Sequence, residues 1–363
     1  MYKLGLEITQ NCNLQCEYCY QSHFNNEMNL ELAIEAINFG LTKAKSINSN
    51  AILISYFGGE PLLRFKNIEL LTEYAKAEAV AHDMQVFFEI TTNGTLLTRE
   101  KCHFLVENRF SLKVSLDGLP EYHDQNRVSK NGKSTHAAVM KNMDLFLFYQ
   151  KELKRPVQIS MVISRNSYEG LLLNIKYLLG LGFKFFDVAI NYTDKWTTDE
   201  LKNLENEFEK VINFYFESAK TGRGFAWTFV DNGMKPQIKT KKHYFCGAGI
   251  TNTFVNTEGD LYPCTACVKD EARIGTLREG ISISKIDRFK QYKRKLSEEC
   301  TNCSIQSYCS ACDCLLMNLE MTGNYYSVPT LFCEFAKMRF KLTNKLLQNP
   351  EWGEIFQNYY AAR

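Results

Sequence analysis

The sequence predicts an α/β protein built on a partial (β/α)6 TIM barrel, followed by a cysteine-rich carboxyl-terminal domain. Two observations predict it: strand-like runs alternate with amphipathic stretches over the first half, and the cysteines gather towards the two ends of the chain. Strand-like runs fall at 3–9, 52–57, 86–92, 111–116, 157–163 and 185–190, separated by helical stretches such as 30–45, 67–81 and 135–149. Strand followed by helix, repeated, implies parallel strands joined by right-handed crossovers. Six units fall short of the eight that close a barrel, so the barrel is expected to be open, with its site at the carboxyl ends of the strands.

A further helix over 197–221 opens on Thr197, Thr198 and Asp199 as a cap and closes at Gly222. It marks the boundary. Residues 1–225 are read as the barrel, 226–345 as the cysteine-rich domain and 346–363 as a helical tail. The stretch from 246 to 330 carries turn signals and little helical period, whereas 333–348 regains helical spacing through Phe335, Met338, Phe340, Leu342 and Leu346. Lys235 follows the boundary, and Lys239, Lys241 and Lys242 read as a solvated charged face, with steering of an acidic peptide as the alternative.

The chain has 363 residues, 45% of them hydrophobic, enough for one large domain and a smaller one. Its net charge of +2 gives no field to hold a polyanion, so no nucleic-acid partner is expected. No apolar run approaches the roughly 20 residues that span a bilayer, and Met1-Tyr2-Lys3 leads into a strand rather than a signal peptide. A cytoplasmic location without a membrane partner is expected. In that reducing compartment thirteen cysteines argue for metal rather than disulfides. Three lie between Cys12 and Cys19, nine between Cys246 and Cys333, and Cys102 in the middle reads as a buried structural thiol.

Cys12, Cys16 and Cys19 follow the first strand at spacings that let a short loop turn all three sulfurs toward one centre. Thiolates are the soft ligands of iron-sulfur clusters and zinc. A cubane held by three cysteines keeps one iron open to substrate; a zinc site with a borrowed fourth ligand is the competing reading. The spacing, with the aromatic Tyr18 before the last cysteine, resembles the hallmark of the radical S-adenosylmethionine (SAM) superfamily. The resemblance implies that Cys12, Cys16 and Cys19 hold a 4Fe-4S cluster whose open iron chelates the amino and carboxylate groups of SAM, with Tyr18 beside the cofactor. It also implies reductive cleavage of SAM to methionine and a 5'-deoxyadenosyl radical, and a reducing partner such as flavodoxin or ferredoxin.

The other barrel strands supply matching positions. Gly58-Gly59-Glu60-Pro61 ends the second strand; the glycines permit close backbone approach to a ligand and Pro61 fixes the turn. By resemblance Gly58, Gly59 and Glu60 lie along the SAM amino group. Thr92 and Asn93, at the end of the third strand, are candidates for the ribose hydroxyls, although Asn93-Gly94 alone reads as a turn. Ser115-Leu116-Asp117-Gly118 ends the fourth strand, with His123, Asp124 and Arg127 beyond it. A guanidinium suits a carboxylate in a dry site, and resemblance to peptide- and sulfatase-modifying members gives Ser115 and Arg127 to the SAM carboxylate. His123 is expected to be a structural hydrogen-bonder rather than a base. No residue is assigned as a catalytic acid or base.

Beyond the barrel, Cys246, Cys264, Cys267, Cys300, Cys303, Cys309, Cys312, Cys314 and Cys333 exceed what one four-ligand site uses and suit two sites plus a spare. Their spacing resembles the SPASM domain, which carries up to two auxiliary 4Fe-4S clusters. By that resemblance Cys246, Cys264, Cys267 and either Cys312 or Cys314 hold the inner cluster, and Cys300, Cys303, Cys309 and Cys333 the outer one. The usual pattern has a cysteine where this chain has Asp313, so the fourth inner ligand stays open between its two neighbours. Paired structural zinc sites are the alternative.

The resemblance implies a peptide maturase: an oxidoreductase that abstracts hydrogen from a precursor peptide or protein and forms a thioether or carbon-carbon crosslink in a ribosomally synthesised peptide. The nearest alternative is an anaerobic sulfatase-maturating enzyme, which makes formylglycine; there an aspartate follows the hairpin thiol, where this chain has Thr265. A non-enzymatic iron-sulfur carrier or zinc-binding module is the alternative of another class. It leaves the Gly58-Gly59-Glu60 and Ser115-Arg127 sets without a role. With no room before the first strand for a leader-binding domain, substrate recognition is expected at the barrel mouth, the auxiliary domain or another protein.

Overall fold

In the computed structural model, residues 1–21, 23–238, 246–290, 296–309, 311, 314–353 and 355 are described. Lys239, Lys241, Lys242, Cys312 and Asp313 lie outside the described residues. The first half runs β1 (Tyr2–Thr9), α1 (Leu30–Ser46), β2 (Ala51–Gly58), α2 (Phe65–Ala81), β3 (Gln85–Thr92), α3 (Arg99–Glu107), β4 (Ser111–Ser115), α4 (Pro120–Asn126), α5 (Thr135–Met140), α6 (Met143–Leu153), β5 (Gln158–Ile163), α7 (Leu171–Gly180) and β6 (Phe185–Ile190). Then come α8 (Thr198–Lys220), β7 (Ala226–Trp227), α9 (Thr228–Ile238), β8 (Asn252–Val255), β9 (Asp260–Tyr262), β10 (Gly275–Thr276), β11 (Gly280–Ile281), α10 (Ile283–Lys290), α11 (Glu298–Thr301), α12 (Leu315–Thr322) and α13 (Thr330–Leu347).

All strands join one sheet in the order β11-β10-β9-β8-β1-β2-β3-β4-β5-β6-β7. Pairing is parallel from β8 through β1 to β7, and only β8 to β11 form an antiparallel meander. The six expected strands are all present. Two parallel strands flank them that the sequence pattern did not announce: β7, too short to alternate, beside β6, and β8, which attaches the carboxyl-terminal half directly to β1. The boundary expected at 225/226 therefore falls immediately before a strand of the barrel sheet, and the one at 345/346 falls inside α13.

Strand alternation sorts the two faces of the sheet. Leu4, Leu6, Ile52, Ile54, Ile90, Val114, Ile159 and Phe186 are buried with the helix residues Ala36, Ile37, Ile68 and Ile175 in one core. The opposite face is mixed: Phe57 meets Phe254 edge-on beside Gly5 with ring centres 6.3 Å apart, while Lys3 donates to Glu89 at 2.6 Å, the Ser55 hydroxyl meets the same carboxylate, and Lys113 donates to Asp187 at 2.7 Å. An eight-fold barrel fills this space with apolar layers; here charged and hydroxyl pairs share it with aromatic rings.

Two helical expectations change. The stretch 135–149 is not one helix but α5 and α6, because the Asn142 side chain donates to the Gly94 carbonyl at 2.8 Å and ties the break to the end of β3. The stretch before 330 does contain helices, α10, α11 and α12, none long enough to show a period; the two turns of α12 bury Leu315, Leu316 and Leu319. By contrast α8 starts as expected, with Thr197 and Glu200 forming a reciprocal capping box. Among the described residues no helix is long and apolar enough to cross a membrane.

Candidate functional site

The loop after β1 carries the first three thiols and is pinned by backbone bonds to the segment after α4. Gln15 N–H donates to the Val128 carbonyl at 2.8 Å and Glu17 N–H to the Asn126 carbonyl at 2.9 Å, and Leu14 bridges Ser129. Cys12, Cys16 and Cys19 thereby line one pocket of about 280 Å³ at the carboxyl ends of the first strands. Burial pushes the Cys12 thiol up to about 12 and raises Cys16 and Cys19 as well. Each stays protonated at neutral pH until a metal cation supplies the countercharge.

Gly58 and Gly59 line the same pocket, but their first use is internal. A Cβ on Gly58 would lie 2.1 Å from the Thr9 carbonyl oxygen, at a φ of +143°, and one on Gly59 would lie 2.4 Å from the Asn11 oxygen. The glycines let β2 close on the cysteine loop itself, with Gly59 N–H donating to Thr9 at 2.8 Å and Glu60 N–H to Asn11 at 2.9 Å. Glu60 corrects an expectation: its carboxylate is fully buried and does not line the pocket. It accepts from Leu62 N–H at 3.0 Å, Thr92 Oγ1 at 2.8 Å and Asn93 N–H at 2.7 Å, so it splices β2 to β3 rather than facing a ligand. Thr92 and Asn93 do line the pocket, with side chains already engaged: Asn93 Nδ2 donates to Asn13 Oδ1 at 2.9 Å and approaches the Cys12 sulfur at 3.9 Å.

Ser115, Tyr18 and Arg127 complete the set expected there. Arg127 donates from Nε at 3.0 Å and Nη2 at 2.9 Å to Asp117, lies 5.3 Å from the centre of the Tyr18 ring and reaches Cys16. Burial opposes its charge, but Asp117, Tyr18 and Cys16 outweigh burial and hold it above its ordinary value. His123 is buried, accepts from the Asp117 N–H through Nδ1 at 3.2 Å and is pushed down to about 4 by burial. It is the structural hydrogen-bonder expected. Among the pocket residues that escaped the sequence reading are Lys113, legible as the position two before Ser115 on one strand face, and His23, whose Nε2 lies 3.3 Å from the Cys19 sulfur in a loop without pattern.

At the other end Cys300, Cys303, Cys309 and Cys333 line a second cavity of about 720 Å³. Cys264 and Thr265 come close to Tyr20, which lines the first pocket, so the hairpin thiol reaches the mouth of the barrel site. Cys267 is buried, which raises its thiol to about 11. Cys314 caps α12. Among the described residues the cysteines form no disulfide, and no three potential ligands converge tightly enough for one metal ion. Zinc draws its sulfurs to about 2.3 Å from one centre. At both sites the thiols of the described residues are spread around a cavity instead.

A family model described as the radical SAM superfamily matches residues 6–148. The chain is 26% identical over 344 residues to a cysteine-type anaerobic sulfatase-maturating enzyme of Clostridium perfringens, covering 87% of this chain and 90% of that one. It is 31% identical over 267 residues to an uncharacterised protein of Methanocaldococcus jannaschii, covering 73% and 85%. Among solved structures, anSMEcpe with bound AdoMet and the Cp18Cys peptide superposes with a TM-score of 0.77 at 22% identity, covering 98% and 99%. Streptococcus suis SuiB bound to its precursor peptide SuiA superposes with 0.60 at 18%, covering 91% and 75%. These last two are likenesses of fold. With three thiols presented from the loop after β1 of a parallel sheet, and with the sequence matches across that sheet, the chain belongs to the radical SAM superfamily, whose members bind SAM and a 4Fe-4S cluster.

Proposed function

We propose that this enzyme abstracts a hydrogen atom from a peptidyl substrate and forms a thioether or carbon-carbon crosslink in a ribosomally synthesised peptide. The observation that carries the reading is the convergence of Cys12, Cys16 and Cys19 with Ser115 and Arg127 on one pocket at the carboxyl ends of the strands. Cys12, Cys16 and Cys19 would hold the cluster, the Gly58-Gly59 backbone would meet the SAM amino group, and Ser115 and Arg127 the carboxylate. When bound, the cluster and SAM supply the 5'-deoxyadenosyl radical that takes the hydrogen atom. The chain's own part is to orient both reactants and exclude water.

Crosslinking removes a second electron and a proton from the peptide. In this reading residues 226–345 form a SPASM domain with two auxiliary 4Fe-4S clusters that supply the electron acceptor. Cys300, Cys303, Cys309 and Cys333 would hold the outer cluster; Cys246, Cys264 and Cys267 would hold the inner one with Cys314 or with Cys312. The approach of Cys264 to Tyr20 at the pocket mouth supports an inner site near the substrate.

Sulfatase maturation is the second reading, favoured by similarity to such enzymes over almost the whole chain. Against it, Thr265 stands where those enzymes have an aspartate, and no carboxylate lines the pocket among the described residues. Mass spectrometry of the modified peptide separates the two, since a crosslink retains sulfur and formylglycine made from cysteine loses it. Cys264→Ala should leave 5'-deoxyadenosine formation in place and stop peptide modification. Product at the normal rate from a variant lacking that iron would overturn the auxiliary role.

A further inference from the structure

Asp117 accepts four hydrogen bonds beside the thiol pocket, although it does not line it. Its Oδ1 accepts from Arg127 Nη2 at 2.9 Å and from the Val162 N–H at 2.9 Å. Its Oδ2 accepts from Arg127 Nε at 3.0 Å and from the Tyr18 hydroxyl. The residue is 4% exposed. One carboxylate at the end of β4 thus ties together β5, the residue that follows α4 and the three-thiol loop.

We propose that Asp117 is a positioning residue that sets Arg127 and Tyr18 against Cys16 before SAM arrives. A guanidinium held on a carboxylate through two N–H groups is fixed in plane. With Nε and Nη2 committed to Asp117, Arg127 lies over the Tyr18 ring and within reach of Cys16, and Ser160 O takes a further bond from Nη2 at 3.3 Å. The freedom of that long side chain is lost in folding rather than in binding, which favours the bound state. Tyr18 sits between two of the thiols, so its bond to Asp117 also fixes the register of the loop, alongside the bonds of Gln15 and Glu17. The competing role for Asp117 is neutralisation of a buried arginine and nothing more. The inference rests on the proposed placement of Arg127 and Tyr18 against SAM and not on the identity of the peptide.

Asp117→Asn separates the two. The amide keeps an acceptor for Val162 but sets N–H groups against the guanidinium. In reconstituted protein, SAM affinity by equilibrium dialysis should fall about 10- to 100-fold, and the change that SAM causes in the electron paramagnetic resonance of the reduced cluster should be lost. Asp124→Ala is the stability control: Asp124 accepts from the His136 N–H at 2.9 Å at the start of α5 and lies outside the pocket. Unchanged SAM affinity in Asp117→Asn, or an equal loss in Asp124→Ala at matched stability, would overturn the proposal. If Asp117→Asn does not fold, Tyr18→Phe, which keeps the Arg127 pair, gives the same decision: weaker SAM binding supports it and unchanged binding sinks it.

Discussion

The two thiol-bearing regions are built in opposite ways. In the barrel, Cys12, Cys16 and Cys19 sit on a loop whose backbone is bonded to distant segments: Gln15 to Val128, Glu17 to Asn126, Thr9 to Gly59 and Asn11 to Glu60. In the carboxyl-terminal half the backbone bonds recorded at the cysteines are local, from Cys303 to Cys300, Cys309 to Gln306, Cys314 to Ala311 and Cys333 to Pro329. The first arrangement exists because a parallel sheet holds it. In the second, Cys300, Cys303 and Cys309 sit in short turns and Cys333 in the first turn of α13, all facing one cavity, and ordering there would be coupled to metal binding if it holds the proposed cluster.

Complete loss is the largest effect expected, and it should respect that division. Replacing Cys12, Cys16 and Cys19 together with Ala should abolish SAM cleavage, leave iron in the carboxyl-terminal half and leave the barrel folded. Replacing Cys300, Cys303, Cys309 and Cys333 should remove iron there and release the amides of 297–309 to hydrogen exchange, with β1 to β6 still protected. Loss of barrel protection in the second variant would mean that the two regions fold as one unit.

What was legible in the sequence follows the same line. The six strands could be read because alternation is local, the α8 cap because Thr197 and Glu200 sit within one turn, and the thiol loop because its spacing is short. What could not be read is tertiary. Glu60 faces its own chain because Thr92 and Asn93 lie on the neighbouring strand, Asn142 breaks a helical period to reach Gly94, and Asp117 meets Tyr18 across 99 positions. The strand β8 is unpredictable for the same reason, since its partner Lys3–Leu6 lies at the other end of the chain.

Gly58 tests how tightly the sheet grips the thiol loop. Gly58→Ala combines a φ of +143° with a 2.1 Å approach to Thr9 O, and should cost about 3 kcal/mol or more in urea unfolding. Gly132→Ala is its control, with a φ of +71° in open space, and should cost about 1 kcal/mol. Equal costs would show that the close approach contributes nothing.

Acid sensitivity should also reside in the barrel. Burial lowers His123 to about 4 from an ordinary 6.5, so the folded state prefers the neutral ring and the unfolded chain takes the proton first. The stabilisation is complete above pH 6.5, falls as the pH drops toward 4 and then levels. The difference amounts to about 3 kcal/mol. His123→Gln should remove that part of the pH dependence, measured as the slope of unfolding free energy between the two values. An unchanged slope would mean that the ring takes up its proton at the same pH in the folded and unfolded chain.

The smallest effect expected lies at the seam between the halves. Helix α13 carries Cys333 and packs on α8 and α9, where Phe335 stacks edge-on against Phe208 and Phe229 with ring centres 5.6 and 5.7 Å apart. Lys341 and Lys345 also reach across to Glu205 and Glu209 on α8. Both lysines are about two-thirds exposed, at 68% and 66%. Water screens such pairs, and the ordering of two long side chains offsets most of the attraction, so each contributes about 0 to 1 kcal/mol. Lys341→Ala with Lys345→Ala should therefore shift the unfolding midpoint little and lose even that in high salt. If the seam is held by apolar burial, Leu342→Ala on the same helix costs about 2 to 5 kcal/mol instead. A double lysine variant that released α13 to hydrogen exchange would invert this ranking and make the attachment of the outer thiol site electrostatic.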